Sequence, residues 1–115
     1  MTFKAFDVVA VPFPFTDRKQ AKKRPALVLS SARNFNEPVG QSIMAMITSS
    51  KNQPWPEDVP IEDLKSAGLP VSSVIRMKLF TLDHRLVEKK LGSLSVRDRK
   101  RLLDSLHSVL EDCLS

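Results

Sequence analysis

A basic segment that runs into a proline is the first part of this sequence whose residues could do chemistry. Within residues 12–30, PFPFTDRKQAKKRPALVLS, the cations are Arg18, Lys19, Lys22, Lys23 and Arg24. Pro25 disfavours the helical conformation for the residue before it, so Arg24 is held extended where the basic segment meets an apolar run. An arginine held in this way can bind a phosphate through two parallel hydrogen bonds. The alternative is an ion pair with a surface carboxylate such as Asp17.

The next two apolar runs predict a hairpin that brings a hydroxyl group to this arginine. PALVLS at 25–30 and SIMAMIT at 42–48 are short, apolar runs of the kind that form strands. With a connection centred near residue 36, antiparallel pairing places Arg24 opposite Thr48, to within one or two residues. The guanidinium would then lie beside the polar run TSSK at 48–51.

A second pair of cations alternates with apolar residues in VSSVIRMKLFTL, residues 71–82. In a strand, Ile75, Met77 and Leu79 would share a core face, and Arg76 and Lys78 would share the other face. A cationic sheet face near an aromatic side chain is typical of surfaces that bind single-stranded nucleic acid. An ordinary solvent-exposed strand face is the alternative.

The remaining candidate side chains carry weaker signals. His84 follows a predicted strand and could act as an acid or base, but the sequence has no two-histidine arrangement for RNA cleavage. Trp55 lies in an irregular, proline-rich segment at 49–60, where it could stack on a base or anchor the loop.

Composition narrows the class of protein and of partner. The chain has 115 residues, which predicts a single domain spanning 1–115. Its net charge of +5 favours a polyanionic partner such as nucleic acid. One cysteine, Cys113, permits no intrachain disulfide, and no Cys/His spacing fits zinc, so we expect no zinc site and a cytoplasmic protein. We also expect no signal peptide and no membrane span.

The elements that would position these residues are mainly strands. FDVVAV at 6–11 predicts a buried strand ended by Pro12 and Pro14, and EKKLGSL at 88–94 predicts a short extended piece. Residues 61–70 could hold one helical turn ended by Gly68. Short strands without regular intervening helices argue against a doubly wound sheet. We therefore expect a small, strongly bent antiparallel sheet or partly open barrel.

The C-terminal segment predicts a helix over 96–113 that packs on this sheet. Ser95 and Asp98 form a candidate capping box. The apolar residues that follow fall on one helical face: Leu102, Leu106, Val109, Leu110 and Cys113.

Five segments together resemble the MazF/PemK family of type II toxins, which are bacterial ribonucleases paired with antitoxins. These are FDVVAVPFPFTD, KRPALVLS, MAMITS, SVIRMKLFTLD and KKLGSLS, and the resemblance extends in order over nearly the whole chain. The resemblance implies an SH3-like small barrel with a C-terminal helix, of the kind shared by MazF, PemK and CcdB. It further implies a homodimer that cleaves single-stranded mRNA at specific sequences without a metal.

The resemblance also implies roles for particular residues. The arginine of the RP block and the threonine of the IT block map to Arg24 and Thr48 as the catalytic pair. Ser49 and Arg76 map to RNA-binding positions. Under this interpretation the 2′-hydroxyl of RNA is the nucleophile, Arg24 and Thr48 bind the scissile phosphate, and the basic segment encloses RNA, with Lys78, Arg18, Lys19, Lys22 and Lys23 contributing to binding. An antitoxin with an acidic segment would occupy the same groove.

One departure from the family pattern concerns Lys78. Better-studied PemK-like members carry an acidic residue at this position, so the identity of the general base is open. The alternatives are a non-catalytic toxin of the same fold, similar to the gyrase poisons, and an RNA-binding module without activity. The gyrase poisons depend on an aromatic residue near the C-terminus, whereas this chain ends in EDCLS.

Overall fold

A computed structural model describes residues 2–13 and 22–115 of the protein, as six strands and four helices. The strands are β1 (Asp7–Phe13), β2 (Lys22–Val28), β3 (Gln41–Ser49), β4 (Val59–Pro60), β5 (Ser73–Asp83) and β6 (Lys89–Ser93). The helices are α1 (Glu37–Val39), α2 (Leu64–Ala67), α3 (Val96–Val109) and α4 (Glu111–Leu114). A helical turn at Ala32–Asn36 leads into α1, and a 3₁₀ turn at His84–Leu86 links β5 to β6.

The strands form one antiparallel sheet in the order β4-β5-β3-β2-β1-β6. The sheet curls until its two edges approach each other, with α2 lying between them. The Ser66 hydroxyl of α2 donates to the Ser93 carbonyl of β6 at 2.8 Å. A Cβ on Gly92 would lie 2.3 Å from the Ser66 carbonyl oxygen, so this close approach requires glycine. The result is a half-barrel, which confirms the bent-sheet prediction.

Alternation along the strands gives the sheet an inner and an outer apolar face. The inner face carries Val8, Leu27 and Ile75, which pack with Leu94 and with Leu102 of α3. Among the described residues, the N-terminal segment covers one end of the outer face. There Val9, Ala26, Met44 and Leu82 pack with Phe3 from the N-terminal segment.

Four details of the predicted elements were wrong. β1 continues through Pro12. The Pro12 nitrogen faces the β6 side, beyond the last β1–β6 pair, so its missing N–H removes no hydrogen bond between strands. β2 begins at Lys22 and not at residue 25. Leu79 is exposed, not core. The C-terminal helix is interrupted at Leu110, and beyond Leu106 its apolar face is exposed.

The start of α3 is fastened to the segment after β4 by a buried carboxylate. The Ser95 hydroxyl accepts from the Asp98 N–H at 3.2 Å, as the capping box predicts. The Asp98 carboxylate accepts from the backbone N–H groups of Glu62 and Asp63, at 3.1 and 3.0 Å. Asp98 therefore serves two elements, because it lies in the first turn of α3 and also satisfies the donors of a loop.

The irregular segment between β3 and β4 is held on two sides. On one side Arg76 of β5 binds Asp58, with Nε to Oδ1 at 3.2 Å and Nη2 to Oδ2 at 3.0 Å. On the other side the Ser105 hydroxyl of α3 donates to the Glu57 carbonyl at 2.6 Å. Glu57 has φ of +67°, a strained conformation for a residue with a side chain, and these contacts hold it.

Removing the Asp98 carboxylate tests how it holds the start of α3 to the segment after β4. We expect Asp98→Ala to lower the free energy of unfolding by about 3 kcal/mol, because two backbone donors lose their buried acceptor. Asp104→Ala is the matched control: it lies on the same helix, exposed, and we expect a change within about 0.5 kcal/mol. Urea unfolding measures both. Equal effects of the two substitutions would contradict this role for Asp98.

Acid titration tests the contact between Arg76 and Asp58. Burial raises the pKa of Asp58, but the hydrogen bonds from Arg76 and the Trp55 N–H outweigh it and leave the pKa below the ordinary value. A carboxyl with a lowered folded-state pKa contributes stability above its unfolded pKa, near 4, and loses that contribution as the pH falls through the folded pKa. We expect the stability of wild type to fall more steeply than that of Asp58→Asn below about pH 4. Parallel curves in urea unfolding across the pH series would refute the pairing.

Candidate functional site

A pocket opens in the sheet where the ladder between β2 and β3 ends. The paired residues are Val28 with Met44, Leu27 with Ala45, and Ala26 with Met46. The Leu29 N–H donates to the Ile43 carbonyl, and alternate residues along β2, including Pro25, direct their nitrogens to the same side. Pro25 has no N–H to donate, so the ladder stops there. Beyond this point β2 and β3 are unpaired.

A bulge on the other side of β3 widens the same opening. Across β3 and β5, Ala45 pairs with Leu79 whereas Met46 pairs with Arg76. Met77 and Lys78 therefore have no partner residue on β3, and the strand bends at this point. The irregularities on both sides of β3 fall at the level of Met46.

The pocket has a volume of about 400 Å³. Its polar and charged lining comes from three strands and the segment after β3: Arg24, Thr48, Ser49, Asn52, Ser73, Arg76 and Lys78. Phe13, Met46 and residues 69–71 supply apolar walls. The described part of the lining has three cations and no carboxylate, so an anionic ligand suits it.

Arg24 and Thr48 both line this pocket from neighbouring strands. Continuing the β2–β3 register by two residues places Arg24 level with Thr48, as the hairpin predicts. Arg24 is exposed and makes no ion pair with any residue in 2–13 or 22–115. Its suggested partner Asp17 lies outside the described residues. Thr48 Oγ1 accepts a hydrogen bond from Asn52 Nδ2 at 2.5 Å.

Arg76 and Lys78 both line the pocket, but their side chains differ in exposure and in contacts with the rest of the protein. The Arg76 guanidinium binds Asp58, donates to the Gln53 carbonyl at 2.8 Å and lies 4.9 Å from the Trp55 ring centroid. Its side chain is 11% exposed, and its donors largely serve the segment after β3. Lys78 Nζ lies 4.9 Å from the centroid of the Phe13 ring and is exposed. Lys78 is therefore the more accessible of the two.

Of the other predicted RNA-binding residues, Ser49 lines the pocket, whereas Lys22 and Lys23 do not. Arg18 and Lys19 lie outside the described residues. Lys22 and Lys23 border a separate depression with Pro12 and residues 85–88, and Lys23 lies 4.0 Å from Glu88. Ser49 lines the pocket, and its hydroxyl accepts from the Lys51 N–H at 3.2 Å.

His84 lies at the other end of the sheet. Its Nε2 is 2.7 Å from the Ser42 hydroxyl, near the start of β3, and its ring packs edge-on against Phe3. Ser42 and Thr48 are six residues apart along β3, which corresponds to about 20 Å. His84 therefore has no contact with the pocket.

Two polar residues of this region were not predicted from the sequence. Asn52 contacts Thr48, and Asp58 binds Arg76, yet both belong to a segment whose only sequence signal is its prolines. Trp55 is explained by the same contacts, since its ring lies against Arg76 as a loop anchor.

The described ranges are residues 2–13 and 22–115. No group of three or more histidine, cysteine, aspartate or glutamate side chains there could hold a metal ion. None of the helices in those ranges is both long and apolar enough to span a membrane.

Solved structures of MazF toxins share this fold. MazF from Deinococcus radiodurans is 27% identical, with a TM-score of 0.74, over 96% of this chain and 98% of that one. A MazE–MazF structure from the same organism is 25% identical, with a TM-score of 0.72, over 96% of each chain. A mycobacterial endoribonuclease in complex with its cognate antitoxin, 15% identical, matches with a TM-score of 0.73 over 96% of this chain and 94% of that one, and supports the fold alone.

Sequence comparison identifies the family of the chain. A search of curated protein sequences found no match to the chain. Residues 4–110 match the model of the PemK-like, MazF-like toxins of type II toxin-antitoxin systems. This match covers nearly all of the residues that form the sheet, the pocket and α3. The chain belongs to the PemK-like, MazF-like family of type II toxins.

Proposed function

We propose that this toxin is an endoribonuclease that cleaves single-stranded mRNA at specific sequences in the pocket beside β3. The observation that carries the proposal is that Arg24 and Thr48 line one pocket from neighbouring strands. Arg24 offers a planar donor fork, which suits a phosphate. Thr48 offers a hydroxyl on the adjacent strand. A phosphodiester between them would be bound by both.

The proposed reaction uses the nucleophile that RNA supplies. The 2′-oxygen attacks the adjacent phosphorus and loses its proton to solvent water. The bond from phosphorus to the 5′-oxygen breaks, and that oxygen takes up a proton from solvent. The products are a 2′,3′-cyclic phosphate and a 5′-hydroxyl. Arg24 stabilises the charge that builds on the phosphate oxygens, and Thr48 donates a hydrogen bond to the same group. The reaction as written requires no metal ion.

The surrounding charges suggest how RNA is held. Lys78 and Ser49 line the same pocket, so they would contact the nucleotides on either side of the scissile phosphate. Lys22 and Lys23 border the neighbouring depression, so a strand leaving the pocket toward β6 would meet them. Arg18 and Lys19 are proposed to add to this binding. Arg76 would instead support the wall of the pocket, because its donors serve the segment after β3.

The family membership supports proposals about partners. We propose that an antitoxin neutralises the protein with an acidic segment that fills the same cationic pocket. We also propose a homodimer, and the exposed apolar residues at the end of α3, Val109 and Leu110, favour an apolar contact between chains. An mRNA substrate implies action in the cytoplasm.

Cleavage assays test the catalytic proposal. On a long unstructured RNA with chelator present, we expect wild type to leave 5′-hydroxyl ends that polynucleotide kinase labels directly. We expect Arg24→Ala to reduce the rate by about 10²–10³-fold, the effect of removing one charge-stabilising donor. Thr48→Val should cost about 10-fold, since it removes one uncharged hydrogen bond.

The matched control is Lys100→Ala, which removes an exposed cation on α3 outside the pocket and should leave the rate unchanged. Equal cleavage by wild type and Arg24→Ala would exclude Arg24 from the mechanism. No cleavage by any of the proteins would favour an RNA-binding module or a non-catalytic toxin.

Binding measurements test the acidic-segment proposal. A fluorescent, non-cleavable 2′-deoxy oligonucleotide reports binding by its anisotropy at several salt concentrations. We expect Arg24→Ala to reduce the dependence of log affinity on log salt by about 0.7, the value for one phosphate contact with a single strand. A glutamate-rich peptide should displace the oligonucleotide from wild type. A peptide that binds without displacing it would place the acidic partner elsewhere.

A further inference from the structure

We infer that Asn52 is a positioning residue that fixes the direction of the Thr48 hydroxyl, so that this hydroxyl donates into the pocket. The inference rests on the proposed function, because it assigns the donor that a bound phosphate would meet. Asn52 lies in the segment between β3 and β4, and its amide reaches back to the end of β3. It would act through Thr48 and not on the reacting atoms.

The hydrogen bond itself sets the direction of the hydroxyl. Asn52 Nδ2 donates to Thr48 Oγ1 at 2.5 Å, so the threonine oxygen is the acceptor. A hydroxyl has one proton and can accept and donate at the same time. With its acceptor side occupied by Asn52, Thr48 keeps its proton for another partner. A threonine without this contact can turn its proton to a nearby backbone carbonyl, as short hydroxyl side chains commonly do.

The backbone around Asn52 is held closely enough for this task. The Asn52 N–H donates to the Ser49 carbonyl at 3.1 Å, which closes the turn after β3. At the next residue, Arg76 Nη2 donates to the Gln53 carbonyl at 2.8 Å. Arg76 is itself fixed by Asp58. Arg76 thus holds the segment that carries Asn52, although the resemblance implies that it contacts RNA.

A direct contact between Asn52 and RNA is the competing explanation, since this side chain is exposed and lines the pocket. The two explanations differ in their dependence on Thr48. A residue that acts through the hydroxyl has no effect once the hydroxyl is removed, whereas a residue that contacts RNA keeps its effect. A double-mutant cycle separates them.

The cycle compares wild type, Asn52→Ala, Thr48→Val and the double variant on a short RNA that carries a cleavage site mapped with wild type. We expect Asn52→Ala to lower kcat about 5–10-fold with little change in KM, because the lost interaction serves the transition state. We expect the double variant to match Thr48→Val. Asn34→Ala, an exposed asparagine in the turn before α1, is the control and should match wild type.

A polarity reversal sharpens the test. An aspartate at position 52 has no proton to donate and would accept the Thr48 proton, which withdraws it from the pocket. We expect Asn52→Asp to lower kcat more than Asn52→Ala does. The added negative charge also lowers kcat by itself, and Asn52→Asp in the Thr48→Val background measures that part of the loss. The additional loss of kcat that Asn52→Asp causes when Thr48 is present reports the direction of the hydroxyl.

Equal fold-losses from Asn52→Ala in both backgrounds would overturn the inference and favour direct contact with RNA. A wild type that cleaves no RNA would refute the proposed function, and urea unfolding of the same four proteins would then decide on the contact. Coupling of about 2–5-fold in the unfolding constant supports the Asn52–Thr48 hydrogen bond, and additive effects overturn it.

Discussion

The missing N–H of Pro25 is the constraint on which the pocket depends. In an unbroken half-barrel, β2 and β3 would pair along their whole length, and Arg24 and Thr48 would be cross-strand neighbours on a closed surface. Because Pro25 directs a nitrogen without a proton at β3, the ladder ends at the pair Ala26 with Met46. The β5 bulge falls at the same level. The opening therefore follows from backbone hydrogen bonding before any side chain is considered.

The two arginines that line the pocket, Arg76 and Arg24, differ in their contacts with the protein. Arg76 donates to a carboxylate and a carbonyl of the segment after β3, and it stacks on Trp55. Desolvating a guanidinium is costly unless its donors have partners, and here Nε and Nη2 donate to Asp58 and Gln53. Arg24 is exposed and has no carboxylate partner among the residues described. The pocket thus combines one arginine that keeps the wall in place with another that is available to an anion.

The sequence predicted what local rules control. The cap at Ser95, the turn at Gly68 and the hairpin register all depend on residues close together in the chain, and the structure confirms each of them. The extended conformation before Pro25 belongs to the same class. These features were sufficient to bring Arg24 and Thr48 to the same neighbourhood.

The features that the sequence did not predict depend on distant contacts. Asp58 meets Arg76 across 18 residues, and Asp98 meets Glu62 across 36 residues. Neither pairing has a spacing rule, because the curl of the sheet creates it. Leu79 is a further case: alternation predicts a core position, and its partner Ala45 is buried, but Leu79, next to the bulge, is exposed.

Because position 78 is a lysine, the pocket differs from a catalytic site that uses a carboxylate as its base. A carboxylate at this position would share the pocket lining with Arg24 and Arg76, and positive charge nearby lowers the pKa of a carboxyl group and weakens it as a base. With lysine there, the described lining holds three cations and no acidic side chain. Under the proposed function, such a lining stabilises the negative charge of the phosphate throughout the reaction. Rate enhancement would then come from stabilising charge, which an arginine fork and an oriented hydroxyl can do without changing their protonation state.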